Sequence, residues 1–441
     1  MRFKASDVAA ATGGSLVGPD RDIDGASIDS RSVRPGQLFV PIVAERDGHD
    51  FIPKALEQGA TAFLTDRSGI DRGGDVAAIE VPDTALALAD LGRAARNRLN
   101  GPVVGVTGSV GKTSTKDLLA GVLATTLTTT ANERSFNNEL GLPLTLLGAA
   151  DDTEAVVVEM GARGVGHIAL LCDIARPTVG IVTRVEGVHL ELFGDLESVA
   201  RAKGELIEAL PDDGIAVLNA DHPVVAAMAS RTSARVLRFG LAADADVRAE
   251  NISMDDELRA SFALRTPWGS AEVNLAARGE HQVANALAAA AAAGGIGVGV
   301  EAIAVGLAGA AISGLRMELT RTAGGVLVLN DAYNANPTSM AAALDSLAAL
   351  AAGRRIAVLG VMAELGASAP AEHLAITARA RELGIDVIAV GTDDYGPDAV
   401  HVADVDEAVA ALSDLQTGDA VLVKGSRVAA LERVAAALAG A

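Results

Sequence analysis

The chain has 441 residues, half of them apolar but only 2% aromatic, and 36 basic residues stand against 57 acidic ones for a formal charge of −21. That length holds about two to four domains with substantial cores built from Ala, Val, Leu and Ile. The acidic balance excludes nucleic acid or an anionic membrane as a natural partner, because phosphate contacts need a basic face, but leaves room for an anionic small substrate in a locally basic cleft.

Cys172 stands alone, so no intramolecular disulfide forms and a reducing compartment fits. The start, Met1-Arg2-Phe3-Lys4, lacks the apolar run of a signal peptide. The longest uncharged run, Ala286 to Val300, falls short of the ~20 residues a membrane span needs and reads as a packed helix and its turn. The expectation is a cytoplasmic protein without stable membrane insertion.

Residues 1–84 read as a small mixed α/β domain. Ala5 to Thr12 predicts a short helix closed by Gly13-Gly14; Gln37 to Ile42 predicts a strand after a Pro35-Gly36 turn. A helix around Ile52 to Gln58 and a strand at Thr61 to Thr65 follow. Asp29-Ser30-Arg31 is a polar loop, either facing a ligand or forming a capped turn. Thr84 to Leu99 has helical spacing and leads into the next domain.

Residues 85–313 form the central unit. Strand and helix alternate from about 101, which implies a mostly parallel sheet covered on both faces. Val103 to Val106 is a buried strand, and the turn Gly108-Ser109-Val110-Gly111 leads to Lys112-Thr113-Ser114 at the start of a helix bearing Leu118, Leu119, Val122 and Leu123. Backbone N–H groups and a helix N-terminus in this arrangement point at a bound phosphate. Lys112 is placed to reach terminal phosphates and Thr113 to ligate Mg²⁺. Five residues separate Gly105 from Gly111, a variant of the usual spacing of this loop. The plainer alternative is a turn that only redirects the chain.

Three more strands are predicted at 155–158, 179–183 and 215–218. Glu159 closes a run of valines, poorly placed for a core and well placed for a hard metal beside phosphates. His189 follows the next strand and its loop, and by itself is weak evidence. Asp195 caps a predicted helix to Leu210 that sets Lys203 on one face with Val199, Leu206 and Ile207. A lysine on an apolar stripe snorkels, pairs or is chemically altered, for instance to a metal-binding carbamate, and the residues leave these alternatives open. His281 and Asn285 share a helix face, as base or ribose contacts or as a solvated patch.

Residues 314–441 alternate strand and helix again, implying a doubly wound sheet. Arg316, Asp331, Tyr333, Asn334 and Asn336 cluster at its start. Asn334-Ala335-Asn336-Pro337 is turn chemistry ahead of a helix, yet the density of hydrogen-bonding side chains favours a site.

Taken together these stretches resemble the Mur ligase family over essentially the whole chain. The marks are Asp29-Ser30-Arg31, Asp47-Gly48-His49-Asp50-Phe51, Thr107-Gly108-Ser109-Val110-Gly111-Lys112-Thr113, Ser135-Phe136-Asn137-Asn138-Glu139, Glu159-Met160-Gly161-Ala162 and Ala202-Lys203-Gly204-Glu205. Gly279-Glu280-His281-Gln282, Arg316-Met317-Glu318, Asp331-Ala332-Tyr333-Asn334 and Lys424-Gly425-Ser426-Arg427 complete them.

The resemblance implies three domains: a UDP-sugar-binding unit, a central P-loop ATPase unit and a C-terminal Rossmann-like unit. It implies ATP-dependent joining of D-alanyl-D-alanine to UDP-N-acetylmuramoyl-tripeptide through an acyl phosphate, by a monomer. It assigns Gly108, Ser109, Val110, Gly111, Lys112, Thr113, Ser114, Asn285, Arg316 and Asp331 to ATP. Two Mg²⁺ ions are implied, one on Thr113, the other on Glu159, His189 and a carbamylated Lys203. Ser30 and Arg31 are implied for the UDP end, Asn137 and Asn138 near the phosphates, and Tyr333, Asn334 and Asn336 for the dipeptide. Departures from the family pattern stand at Ala44, Arg184 and Val361, with Arg184 bringing a positive charge towards the second metal. The rivals are a sister ligase adding another amine, a nucleotide switch (whose Asn-Lys-x-Asp base reader is missing here) and a small-molecule kinase.

Overall fold

The structure, a computed structural model, describes residues 1–71, 74–133, 136–187 and 193–440. The N-terminal part begins with α1 (Ala5–Thr12), ended by Gly13 in the left-handed conformation. A five-stranded sheet follows: β1 (Ser15–Val17), β2 (Ala26–Ser27), β3 (Leu38–Phe39), β4 (Ala62–Thr65) and β5 (Ala77–Glu80), in the order β1-β5-β4-β3-β2. The strand expected over Gln37 to Ile42 is only the two residues of β3. Its partner β2 is equally short, and Pro41 lacks the N–H that a continuing ladder needs. Helix α2 (Thr84–Asn97), N-capped by the Asp83 carboxylate, leads into the central part.

Nine strands make the central sheet. In chain order the elements are β6 (Val103–Thr107), α3 (Lys112–Leu123), β7 (Thr129–Ala131), α4 (Gly141–Leu147), β8 (Ala155–Glu159), α5 (His167–Ala175), β9 (Val179–Val182), α6 (Leu196–Glu208), β10 (Ile215–Asn219), β11 (Arg235–Gly240), β12 (Val247–Met254), β13 (Arg259–Thr266), β14 (Gly269–Arg278), α7 (Gln282–Gly295) and α8 (Val300–Gly309). The strand order is β14-β13-β12-β11-β10-β9-β6-β8-β7. All pairs from β7 to β12 are parallel, as the β-branched runs imply; β12-β13-β14 is an antiparallel ribbon that the β–α reading missed. Alternation marks the last strand of the ribbon: Val273, Leu275 and Ala277 are buried, with Glu272, Asn274 and Ala276 between them less so.

One core lies on each face of this sheet. The first joins β6, β8 and α6 to α2 and to Phe3, Leu38 and Leu64, so the N-terminal and central sheets share a single apolar interior. The second is filled by α3, α7 and α8; in α7 Ala286, Leu287 and every alanine from 288 to 293 are buried. A helix apolar on all sides belongs in an interior, and its small side chains explain how a core so poor in aromatics stays close-packed.

The C-terminal part comprises β15 (Glu318–Arg321), β16 (Leu327–Asn330), α9 (Pro337–Ala349), β17 (Arg355–Leu359), α10 (Ala369–Glu382), β18 (Asp386–Val390), β19 (Val400–Val402), α11 (Val405–Ala411), β20 (Ala420–Lys424) and α12 (Glu432–Ala439). The order β15-β16-β20-β17-β18-β19 is parallel except at β15, and each face has its own core. Among the described residues no helix is long and apolar enough to cross a membrane.

Candidate active site

Four neighbouring parallel strands end in polar residues on one edge: Thr107 on β6, Glu159 on β8, Thr183 just past β9 and Asn219 on β10. Ligands of open α/β sheets bind beyond these carboxyl ends. A cavity of about 710 Å³ opens there, walled by the turn after β6 on one side and by the C-terminal part on the other.

The turn is rigid. Gly108 and Gly111 have φ of 147° and 85°, and a Cβ at either would collide with Thr183 Oγ1 or Asn285 Oδ1. Ser109 N–H donates to the Arg184 carbonyl at 2.7 Å, and Thr183 Oγ1 donates to the Val110 carbonyl at 2.6 Å. Asn219 Nδ2 in turn donates to the Thr183 carbonyl at 2.9 Å. Thr183 and Asn219 thus buttress the turn, roles that a lone polar residue at a strand end does not announce in sequence. Lys112 Nζ folds back onto the Gly108 and Ser109 carbonyls at 2.8 and 3.3 Å. Burial holds its pKa below the ordinary value, with Glu159 opposing and Arg316 reinforcing the shift.

Across the floor runs a chain of hydrogen bonds. Arg316 Nη2 donates to Thr113 Oγ1 at 2.9 Å, and that hydroxyl donates to Glu159 Oε2 at 2.7 Å. Asn137 Nδ2 donates to Glu159 Oε1 at 2.7 Å, while Asn132 Oδ1 accepts the Glu159 N–H at 2.8 Å. The Arg316 guanidinium lies 4.2 Å over the Tyr333 ring, and its neighbours Leu315 and Met317 both have φ near 60° or 50° (61° and 52°). An arginine of the C-terminal part is therefore seated on the helix N-terminus of the central part.

Lys203 lines the cavity with only 2% of its surface exposed, and makes no hydrogen bond or ion pair among the described residues. Burial, reinforced by Lys112 and opposed by Glu159 and Glu205, pushes its pKa down to about 7. Asp195 Oδ1 accepts the Ser198 N–H at 2.7 Å, the expected cap of the helix bearing this lysine. Arg231 lies on that helix against Gly204, donating to the Ala200 and Arg201 carbonyls at 3.2 and 3.1 Å.

The opposite wall carries a buried ion pair. Lys424 Nζ donates to Asp331 Oδ2 at 2.5 Å and to the Asn334 carbonyl at 2.9 Å, so Asp331 is held by β20. Lys424 was part of a sequence motif but had no assigned role, because its partner lies 93 residues away. Asn336 N-caps α9 in a capping box with Ser339, and Pro337 opens the helix. Tyr333, Asn334 and Asn336 line the cavity beside it. His281, exposed just ahead of α7, lines the same cavity. Asn285 Nδ2 donates to Gln282 Oε1 at 2.8 Å, and Thr115 donates to Asn285 Oδ1 at 3.3 Å.

The structure thus gathers Ser109, Val110, Gly111, Lys112, Thr113, Ser114, Asn137, Asn138, Glu159, Lys203, Asn285, Arg316, Asp331, Tyr333, Asn334 and Asn336 around one cavity. Asn138 also closes a turn by accepting the Gly141 N–H at 2.9 Å. Ser30 and Arg31 are not among its lining residues: Asp29 accepts from the Arg31 backbone and guanidinium at 2.8–2.9 Å, which is the capped-turn geometry. His189 lies outside the described residues. The charge of Arg184 is paired with Glu186 at 3.0 Å.

Among the described residues no cluster of three His, Cys, Asp or Glu could hold a metal. A single carboxylate with a hydroxyl beside a phosphate cradle is instead the donor chemistry of Mg²⁺, which takes hard oxygens and keeps waters. Glu159 Oε2 and the Thr113 hydroxyl face one another with that chemistry, while Oε1 accepts from Asn137 Nδ2.

Three family models match the chain: Mur ligase family, catalytic domain over residues 22–96; Mur ligase middle domain over 106–293; and Mur ligase, glutamate ligase domain over 315–427. The UDP-N-acetylmuramoyl-tripeptide--D-alanyl-D-alanine ligase of Mycobacterium tuberculosis is 41% identical over 465 residues, covering 93% of this chain and 91% of its own. Among solved structures, the Acinetobacter baumannii UDP-N-acetylmuramoylalanyl-D-glutamyl-2,6-diaminopimelate--D-alanyl-D-alanyl ligase superposes with a TM-score of 0.89 at 31% identity, covering 100% of this chain and 99% of that one. MurF ligase from Thermotoga maritima in complex with ADP does so with a TM-score of 0.83 at 29% identity, over 94% and 97%.

Proposed function

The chain belongs to the Mur ligase family, and we propose that its cavity joins D-alanyl-D-alanine to UDP-N-acetylmuramoyl-tripeptide at the expense of ATP, in peptidoglycan precursor synthesis. The observation that carries this reading is the pairing of a phosphate turn on the central part with a cationic wall, Arg316 and Lys424, on the C-terminal part. A site built from two faces suits a reaction that brings three substrates together and excludes water.

In this reading ATP phosphorylates the terminal carboxylate of the tripeptide to an acyl phosphate. The dipeptide amine attacks that carbonyl, the C–O bond to phosphate breaks, and ADP and phosphate leave. The turn amides and the N-terminus of α3 receive the phosphates. Lys112 leaves the Gly108 and Ser109 carbonyls to neutralise the transferring group, and Arg316 approaches from the opposite side; positioning and charge stabilisation supply most of the rate. Asn285 and Asp331 serve adenine and ribose. Asn137 and Asn138 stand beside the phosphates, and Tyr333, Asn334 and Asn336 shape the dipeptide pocket.

Thr113 and Glu159 would hold Mg²⁺, which supplies charge neutralisation between phosphate oxygens. A second ion would take Glu159, His189 and Lys203 as its carbamate. Support for the carbamate is chemical: an amine with a pKa of about 7 is half unprotonated at neutral pH, and only the free amine adds CO₂. The proposed domains are 1–84 for the UDP end, with Ser30 and Arg31 as contacts, 85–313 for ATP, and 314–441 for nucleotide closure and the dipeptide. The protein is proposed to act as a monomer in the cytoplasm.

The test is phosphate release from ATP and Mg²⁺ with the muramoyl tripeptide, the dipeptide, or both. Release that requires both, with a pentapeptide product by mass, is the expected result. ADP formed with the tripeptide alone, with a stable phosphorylated tripeptide and no amide product by mass, would replace the ligase by a kinase.

A further inference from the structure

Arg163 sits in the loop between β8 and α5 and lines the cavity. Several arginines of this acidic chain pair with carboxylates: Arg231 with Glu208, Arg354 with Asp386 and Asp414, and Arg379 with Asp345. Arg163 has no such partner among the described residues, and the bond it makes there is from its backbone N–H to His167 Nδ1 at 3.3 Å.

The loop around it is nevertheless fixed at both ends. Gly161 N–H donates to the Asn137 carbonyl at 2.8 Å. At the other end the buried Glu205 side chain accepts Gly166 N–H at 2.6 Å and Ala169 N–H at 2.9 Å, capping α5. Gly161 is two residues from Glu159, and Glu205 is two residues from Lys203, so Arg163 stands in fixed register with both. A preorganised loop that presents a guanidinium without a protein partner has the features of an anion receptor.

We infer that Arg163 is a further specificity residue, whose guanidinium receives a carboxylate of the muramoyl tripeptide that does not itself react. This rests on the ligase reading above. A glutamyl residue within a peptide chain uses one carboxyl in its amide and keeps the other ionised. A diaminopimelyl third residue adds one more. Guanidinium and carboxylate match as two parallel N–H···O bonds, and Arg163 supplies that fork at the wall where the peptide must lie for its terminus to reach the phosphate turn.

The experiment is a cycle between enzyme and substrate. Arg163→Ala should raise KM for the tripeptide by roughly ten- to a hundredfold, the range of a charged hydrogen-bond pair, and leave KM for ATP in place. The tripeptide with its free glutamyl carboxylate converted to the amide should lose as much with the wild-type enzyme, and lose no more with Arg163→Ala. Arg163→Lys should recover part of the loss. A lysine-containing tripeptide, which lacks the diaminopimelyl carboxylate, separates the two sources: coupling to Arg163 that persists assigns the glutamyl group, and coupling that vanishes assigns the third residue. An unchanged KM in Arg163→Ala overturns the inference, as do equal losses on glutamyl amidation in both enzymes together with an Arg163→Ala effect that is the same on diaminopimelyl and lysyl peptides, while the wild-type turnover keeps the ligase reading. A wild-type enzyme that turns over none of the peptides overturns both.

Discussion

Lys203→Met removes an ammonium from a place where the fold holds it dry. The pKa falls from 10.5 to about 7 on folding, chiefly through burial. Between those values the folded state binds fewer protons than the unfolded chain, so wild-type stability rises with pH across that window. Below pH 7 the penalty is present in full; above 10.5 it is gone. Integrating the shift gives roughly 4 kcal/mol of destabilisation at pH 7 and roughly 2 kcal/mol at pH 9. Methionine has similar length and needs no partner, so the variant should be more stable than the wild type by about those amounts while losing turnover. Calorimetric or denaturant unfolding of both proteins from pH 6 to pH 10, in CO₂-depleted buffer so that the amine stays free, measures the difference. A variant less stable than the wild type at pH 7, or a difference that does not shrink as pH rises, would refute the reasoning.

Arg316→Met should act in opposite directions on two ligands. Losing a cation that donates to Thr113 should tighten Mn²⁺ binding to the nucleotide-free enzyme by roughly tenfold, read by electron paramagnetic resonance, while ATP affinity falls; weaker Mn²⁺ binding would count against competition at that hydroxyl. Asp331→Asn leaves Lys424 buried without its counter-ion and should cost about 3–5 kcal/mol, which Asp331→Leu combined with Lys424→Met should partly restore; unfolding midpoints test this. Gly204→Ala should destabilise the protein because its new methyl meets the Arg231 guanidinium, and Arg231→Ala in the same chain should relieve that clash. If the double variant is no more stable than Gly204→Ala alone, the contact is not the cause.

Local chemistry was legible wherever a residue's role is set by its own neighbours in the chain. The phosphate turn, the valine run ending in Glu159 and the Asp195 cap are of that kind, and the parallel strands followed from β-branched runs between helices. Contacts across long separations were not. Arg316 and Thr113 lie 203 residues apart, and Lys424 and Asp331 lie 93 apart, so neither pairing has a sequence signal. Lys203 was recognised as an anomaly on an apolar face, but only its burial beside Lys112 shows that the amine is half-neutral near pH 7. The antiparallel ribbon was missed for a different reason. Its alternation is visible from Glu272 to Ala277, but the surrounding β–α pattern favoured a continued parallel reading.

The apolar interior shared by the N-terminal and central sheets has a consequence for dissecting the chain. Ala87, Leu88, Leu91 and Ala95 of α2 pack together with Phe3 and Leu64 on one side and with Leu142 and Ile174 on the other. A cut near residue 84 would therefore expose a raw oily face on both fragments, and neither should remain soluble when expressed alone. The C-terminal sheet closes its two cores almost entirely from its own residues, taking only Leu258 of the preceding chain among their buried members. Severed near residue 314, it should survive as a folded fragment, making it the piece to label isotopically by itself and ligate back.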